Sequence, residues 1–310
     1  MVRLIVSAIL LATILPVTGE ARHVAQLVAN AAVFMLFLFY GMRLSRAEVL
    51  GGLGNHRLLV PLTVWIFGAM GAAGWVLSHT AMPFVPSALA IGFLYLGVLP
   101  STVQSATVYC SLAKGNIASS VVAAALVNIL GVFIAAPLFS LLAGSKGVAF
   151  HGDTLVKVLT MLLLPFVIGQ VLQGLTKGWV ADHRKLITIM DRSSIGIAVY
   201  VAFSGAVEQH IWSQVDAQVW AVLIVATALL LVFGYGGAWL LGGALHLSRG
   251  DRIAMLFAGG QKSIAMGAPL ATVLFPAAKA GIILLPLLVY HLAQMVVAAP
   301  IAGRLARESD

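Results

Sequence analysis

The sequence predicts an all-α membrane protein: ten transmembrane helices in two inverted repeats of five, with the fourth and ninth helices broken and crossing. Three observations predict it. Ten apolar segments follow one another along the chain, joined by short polar connections. Only 9% of the residues are charged against 61% hydrophobic, whereas a soluble domain carries about 25% charged residues. Lysine and arginine also collect in alternate connections, as the positive-inside rule requires.

The segments are 2–17, 23–41, 58–78, 87–112, 117–143, 154–174, 193–207, 217–245, 253–275 and 281–303. A helix crossing about 30 Å of hydrocarbon needs roughly 20 residues, so ten spans account for most of the chain. The first segment is expected to be a retained span, because no small-x-small cleavage site follows Pro16. Gly68, Gly71 and Gly74 recur on the third segment and Gly234, Gly237 and Gly242 on the eighth, which suits close helix packing. The fourth is interrupted near Pro100 to Ser105 (LPSTVQSA) and the ninth near Gly259 to Ser263 (AGGQKSIAMGAP). The seventh is short. Between the sixth and seventh, residues 179–190 fit an amphipathic surface helix or a solvated linker equally well.

Orientation follows from the basic residues. Thirteen of the 18 Lys and Arg, among them Arg43, Arg57, Lys177, Arg192, Arg252 and Arg307, fall on the side that carries both termini. Arg22, Lys146, Lys157 and Lys279 fall on the other, and Lys262 lies inside a span. Both termini are therefore expected in the cytoplasm, with the chain as a single polytopic domain, 1–310, in the inner membrane. The net charge of +8 has this topological cause and predicts no nucleic-acid partner. The single cysteine, Cys110, forms no intrachain disulfide and suits a packing role.

Five spans per half make the second half enter the membrane from the opposite side, the arithmetic of inverted repeats. Gln104 and Gln261 hold corresponding places in the two interruptions. Unwound backbone at membrane depth is tolerated only inside protein or beside a polar cavity, so paired breaks point to a shared substrate and ion site. Its candidate residues are Ser101, Thr102, Gln104, Ser105 and Thr107 from the fourth span and Gln261, Lys262 and Ser263 from the ninth. Gly259 and Gly260 are expected to favour the unwinding. A mid-span lysine costs about 2.5–3.5 kcal/mol on insertion scales. No acidic residue falls clearly within a span, so Lys262 is expected to meet carbonyls, amides, a helix carboxyl end or an anionic substrate. Asn128 and His291 lie near mid-depth and are candidates for the same cavity or for interhelical hydrogen bonds.

At these residues the sequence resembles the bile acid:sodium symporter superfamily, in the branch of bacterial SBF-like proteins related to the seventh member of solute carrier family 10. Leu99 to Asn116 (LPSTVQSATVYCSLAKGN) is similar to that branch's fourth-helix signature and Ala258 to Phe275 (AGGQKSIAMGAPLATVLF) to its ninth. Gly41 to Arg46 (GMRLSR) and Asp191 to Ser204 extend the resemblance along the chain. It implies a panel of spans 1, 2, 6 and 7, a core of spans 3–5 and 8–10, and transport of an organic anion by alternating access. It also implies sodium held near Gln261, Ser105 and Thr107. In this sequence Phe257 or Ala258 stands where such relatives place a glutamate, and Thr107 where they place an asparagine.

The reading is a secondary transporter of an organic anion, such as a bile-acid-like or other small carboxylate or sulfonate, coupled to sodium or a proton and using no cofactor. A cation/proton antiporter of related architecture is the alternative within transport, and a regulatory membrane protein without turnover is the alternative outside it. Enzyme motifs are poor. HExxH, P-loop and GxSxG are absent, and the one SxxK match, Ser111 to Lys114, has a topological explanation in Lys114.

Overall fold

The computed structural model describes residues 2–43, 55–147, 156, 159–208, 210, 213 and 215–308. Among these every regular element is a helix. In chain order they are α1 (Val2–Ile14), α2 (Gly19–Arg43), α3 (His56–Ala81), α4 (Ser87–Val98), α5 (Val103–Leu112), α6 (Ile117–Gly147), α7 (Leu159–Asp182), α8 (Arg184–Glu208), α9 (Ala217–Ala244), α10 (Arg249–Gly260), α11 (Ile264–Leu274) and α12 (Ala277–Arg307). Among the described residues seven helices are long and apolar enough to cross a membrane: α2, α3, α6, α7, α8, α9 and α12. The pair α4 and α5, bent by 59°, forms an eighth candidate span.

Apolar side chains cover the outside as well as the inside. On α9, Ile224, Val225, Leu229 and Val232 are each more than half exposed, as are Val171 and Leu175 on α7. Helices that satisfy their own backbone and turn such side chains outward are stable in hydrocarbon. The chain is an integral membrane protein.

The helix ends differ from the expected spans in three places. α8 begins at Arg184, well before residue 193, so Asp191 lies in the early turns of this helix. Its charge is matched by Arg43, 2.6 Å away, whose guanidinium also lies over the Tyr40 ring. Residues 179–190 form no separate surface helix; they are the end of α7 and the start of α8, which meet at His183. Gly259 and Gly260 stay helical as the last residues of α10. Residues 44–54, including Arg46 of the GMRLSR segment, lie outside the described residues, as do Lys157, Gln214 and the Lys146 side chain.

Helix contacts divide the chain into two compact units. One comprises Met1–Arg46, Gly144–Asp216 and Gly267–Leu284. Within it α2 packs along α7 and α8, and α1 along α8. Gly41 and Gly169 bring the α2 and α7 backbones together: a Cβ on either would lie 2.9 Å from the Cα of the other. Ion pairs join α2 to α8 at both ends, Arg22 to Glu208 and Arg43 to Asp191.

The second unit comprises Ala47–Ala143, Ala217–Met266 and Leu285–Asp310. Here α3 packs on α4, α9 on α10, and α10 on α5. α3 contains a π-helical turn, Val64–Ala69, a widening often found at functional sites. Both chain breaks fall in this unit.

Candidate functional site

Proline starts the first break. Pro100 has no N–H to continue α4 and biases Leu99 toward extended backbone, which Leu99 adopts at φ −72°, ψ 146°. Thr102 is extended as well, and α5 starts at Val103. The second break, Gln261 to Ser263, separates α10 from α11, with Gln261 at φ −96°, ψ 148°. The two extended stretches meet where Ser263 N–H donates to the Pro100 carbonyl at 2.9 Å.

Backbone freed by a break must find partners when water is excluded. The Leu96 carbonyl accepts from Leu99 N–H at 3.4 Å. Lys262 Nζ donates to the carbonyls of Gly97 at 2.6 Å and Leu99 at 2.8 Å. Asn128 Nδ2 donates to the Ser101 carbonyl at 2.7 Å. Lys262 therefore meets a helix carboxyl end, the negative pole of the α4 dipole. Its third bond, 3.5 Å long, goes to the Ile66 carbonyl in the π turn of α3. The side chain is fully buried, and its three N–H donors face three carbonyls.

Gln294 of α12 secures the other side of Lys262. Its Oε1 accepts from Lys262 N–H at 2.8 Å, and its Nε2 donates to the Lys262 carbonyl at 3.2 Å and faces His291 Nδ1 at 2.9 Å. One turn earlier, Tyr290 donates to the Gly260 carbonyl at 2.6 Å. Gly259 and Gly260 serve close approach rather than unwinding, since Cβ atoms there would lie 3.0 Å from the Trp65 ring and 2.7 Å from the Tyr235 ring.

Beside this scaffold lies an oxygen triad. Thr102 Oγ1, Ser105 Oγ and Gln261 Oε1 are mutually 2.5 Å apart. Thr102 occupies the N-cap of α5, where a threonine ordinarily accepts from the backbone. Its side chain makes no such bond and turns toward Gln261 instead.

The structure thus brings together Thr102, Ser105 and Gln261 as one set and Lys262, Asn128, Ser263 and His291 as the scaffold around the breaks. Ser263 Oγ caps α11 by accepting from Met266 N–H. The hydroxyls of Ser101 and Thr107 are buried without a hydrogen-bond partner among the described residues. Gln104 is exposed and stands outside the triad, because α5 resumes at Val103 and its helical turn carries residue 104 away from residue 105. The sequence reading passed over Gln294, Tyr290 and Tyr235. Gln294 carried the same signal as Asn128, an amide within an apolar span, three residues beyond His291 on the same helix face.

The donor set suits a hard monovalent cation: three neutral oxygens with no soft ligand. No cluster of three His, Cys, Asp or Glu residues that might hold a metal occurs among the described residues. Thr102 is hydrogen-bonded with Ser105 and Gln261, whereas the Thr107 hydroxyl is buried apart from them without a partner among the described residues. The carbonyls at the end of α4, a second oxygen source, are occupied by the Lys262 ammonium.

The SBF-like CPA transporter family matches residues 1–307. The chain belongs to that family. An uncharacterized protein of Pseudomonas aeruginosa is 35% identical over 307 residues, covering 99% of this chain and 92% of that protein. The putative symporter YfeH of Escherichia coli K12 is 32% identical with the same coverage. Mouse sodium/bile acid cotransporter 7 is 22% identical, covering 87% of this chain and 80% of the cotransporter. Family and fold together make the chain a transporter rather than an enzyme, in keeping with its apolar helices and paired breaks.

Proposed function

We infer that this chain is a secondary active transporter that moves a small organic anion, a carboxylate or sulfonate of bile-acid-like or smaller size, across the inner membrane by alternating access. The observation that carries the reading is the meeting of two broken helices, with an oxygen triad on one side and a buried ammonium on the other. Broken helices place polar backbone and helix dipole ends at mid-membrane, where transported solutes and coupling ions are held. The names of YfeH and of the mouse cotransporter point toward symport.

In this reading ten spans form two inverted repeats of five, with both termini cytoplasmic. Spans 1, 2, 6 and 7 act as a panel against a core of spans 3–5 and 8–10. α5 and α11 turn their amino ends toward the breaks, and those ends favour negative charge. Lys262 supplies a fixed positive charge that holds the end of α4, while Thr102, Ser105 and Gln261 hold the coupling cation; sodium suits these oxygens, and a proton gradient is the competing source of energy.

The test is uptake into proteoliposomes of a panel of labelled carboxylates and sulfonates. Sodium would be exchanged for potassium or choline, and pH gradients imposed separately. Sodium-stimulated accumulation supports the reading. Cation efflux driven by a pH gradient, with no solute accumulation under any condition, would favour the antiporter alternative.

A further inference from the structure

Arg252, in the first turns of α10, is held against the carboxyl-terminal end of α9. Its guanidinium carbon lies 3.8 Å from the centre of the Trp239 ring, a cation–π stack. Its Nε donates to the Trp239 carbonyl at 3.0 Å. Two glycines of α9 make room for it: a Cβ on Gly242 would lie 2.9 Å from the Arg252 stem, and one on Gly243 would lie 2.9 Å from the guanidinium carbon. The stack fixes the plane of the guanidinium, and the Nε bond fixes its edge.

The N–H groups on the two terminal nitrogens remain, and none of them meets a protein acceptor among the described residues. Nor does a carboxylate there compensate the charge. Asp251 accepts from the Asn116 amide at 2.9 Å, and Glu308 pairs with Arg304. Arg249, one turn earlier on α10, donates to the Leu305 carbonyl of α12 at 2.5 Å, and it too lacks a carboxylate partner among the described residues. The depth of this pair in the membrane follows from α9. Trp239 lies in the last turns of that helix, where an indole belongs to the aromatic belt at headgroup level. Val225, Leu229, Val232 and Leu240 are exposed at helical spacing along α9, the side that meets lipid tails. Gly243 is the next position on that line, so the guanidinium rests where the lipid-facing stripe reaches the headgroups.

We propose that Arg252, stacked on Trp239, forms a headgroup site for an anionic phospholipid. The two terminal nitrogens offer the parallel donors that suit a pair of phosphate oxygens. Arg249 adds a second positive charge one turn away, and the acyl chains lie along the exposed stripe of α9. That continuity selects the occupant. A free phosphate would meet the arginine fork but gain nothing from Leu240 and Val232, whereas a phospholipid uses both. A zwitterionic lipid carries its own cation beside the phosphate and fits an uncompensated pair of arginines less well.

Such a site needs only the membrane-embedded fold, so its test reads lipid binding rather than transport. Thermal unfolding of the purified protein in detergent would be followed as phosphatidylglycerol or phosphatidylcholine is added at equal mole fraction, with inorganic phosphate in a separate series. Phosphatidylglycerol should stabilise the wild type more than phosphatidylcholine does. Arg252→Gln should raise its half-saturating mole fraction about tenfold, the scale of one charge-assisted hydrogen bond. Gly243→Ala keeps the charge but displaces the guanidinium, whose flexible stem can yield without unfolding the chain. It should weaken the response in the same direction, and it decides the matter alone if Arg252→Gln does not fold. Equal stabilisation by the two lipids, or a phosphatidylglycerol response unchanged in the folded variants, overturns the proposal. So does an Arg252-dependent stabilisation that inorganic phosphate reproduces in full, since the site would then be one for soluble anions.

Discussion

Lys262 Nζ donates to the Gly97 carbonyl at 2.6 Å, joining residues 165 apart in the chain. That bond ties the second break to the end of the helix preceding the first. With the Leu99 and Ile66 carbonyls completing its shell, the ammonium is part of the architecture that keeps both breaks open.

Lys262→Met should therefore cost stability as well as transport. The substitution strands carbonyls in a site that excludes water, and a buried acceptor left unsatisfied costs about 1–3 kcal/mol. Lys262→Arg should fare little better, because a planar guanidinium does not reproduce a compact ammonium among three carbonyls. Both variants are expected to melt well below wild type in detergent. A Lys262→Met protein with wild-type melting and sodium-stimulated uptake would return the residue to a packing role.

The two glutamines of the breaks should behave differently. Gln261 lies in the triad, so Gln261→Ala should abolish uptake with little change in melting. Gln104 is exposed, and Gln104→Ala should keep uptake within about twofold of wild type, as for a surface substitution. Equal loss of uptake in both would place Gln104 in the transport path.

Much of this site was legible in the sequence because proline and intramembrane charge have few structural solutions. Pro100 marked one break, and Gln261, Lys262 and Ser263 marked the other. The absence of nearby carboxylates pointed Lys262 to carbonyls or a helix carboxyl end, where it is found. Details set by rotation about a helix were not legible. Gln104 and Ser105 are chain neighbours, yet only Ser105 reaches Gln261, and that depends on α5 resuming at Val103. The π turn that aims the Ile66 carbonyl at Lys262 has no single-residue signature. Gly259 and Gly260 were read through their flexibility, whereas their use is to admit the rings of Trp65 and Tyr235.

The glycines where α3 meets α4 separate by the same geometry. A Cβ on Gly74 would lie 2.6 Å from the Phe93 carbonyl oxygen, and one on Gly97 would lie 2.7 Å from that of Met70. Neither backbone can yield without moving α3 from α4 and disturbing the Gly97 bond to Lys262. Gly97→Ala should cost about 1–3 kcal/mol, typical of overpacking. Gly71→Ala meets only side chains, the nearest at 3.7 Å, and should melt as wild type does. Equal melting of the two variants would remove the close approach as a support of the site.

Topology can be tested against the ion pairs of the first unit. Arg22 pairs with Glu208 and Arg43 with Asp191, so α2 and α8 run antiparallel and are joined near both ends. At 1.5 Å per residue the pairs are about 31 Å apart along α2 and about 26 Å along α8, close to the hydrocarbon thickness of about 30 Å. Charges so spaced suit the two membrane interfaces. With basic residues concentrated around Arg43 and Arg192, that end should be cytoplasmic. Reporter fusions after Arg57, Arg192 and Arg307 should read cytoplasmic, and fusions after Gly147 and Glu208 periplasmic. A cytoplasmic signal after Glu208 would mean that α8 does not cross, which would remove the five-span half and the inverted repeat built on it.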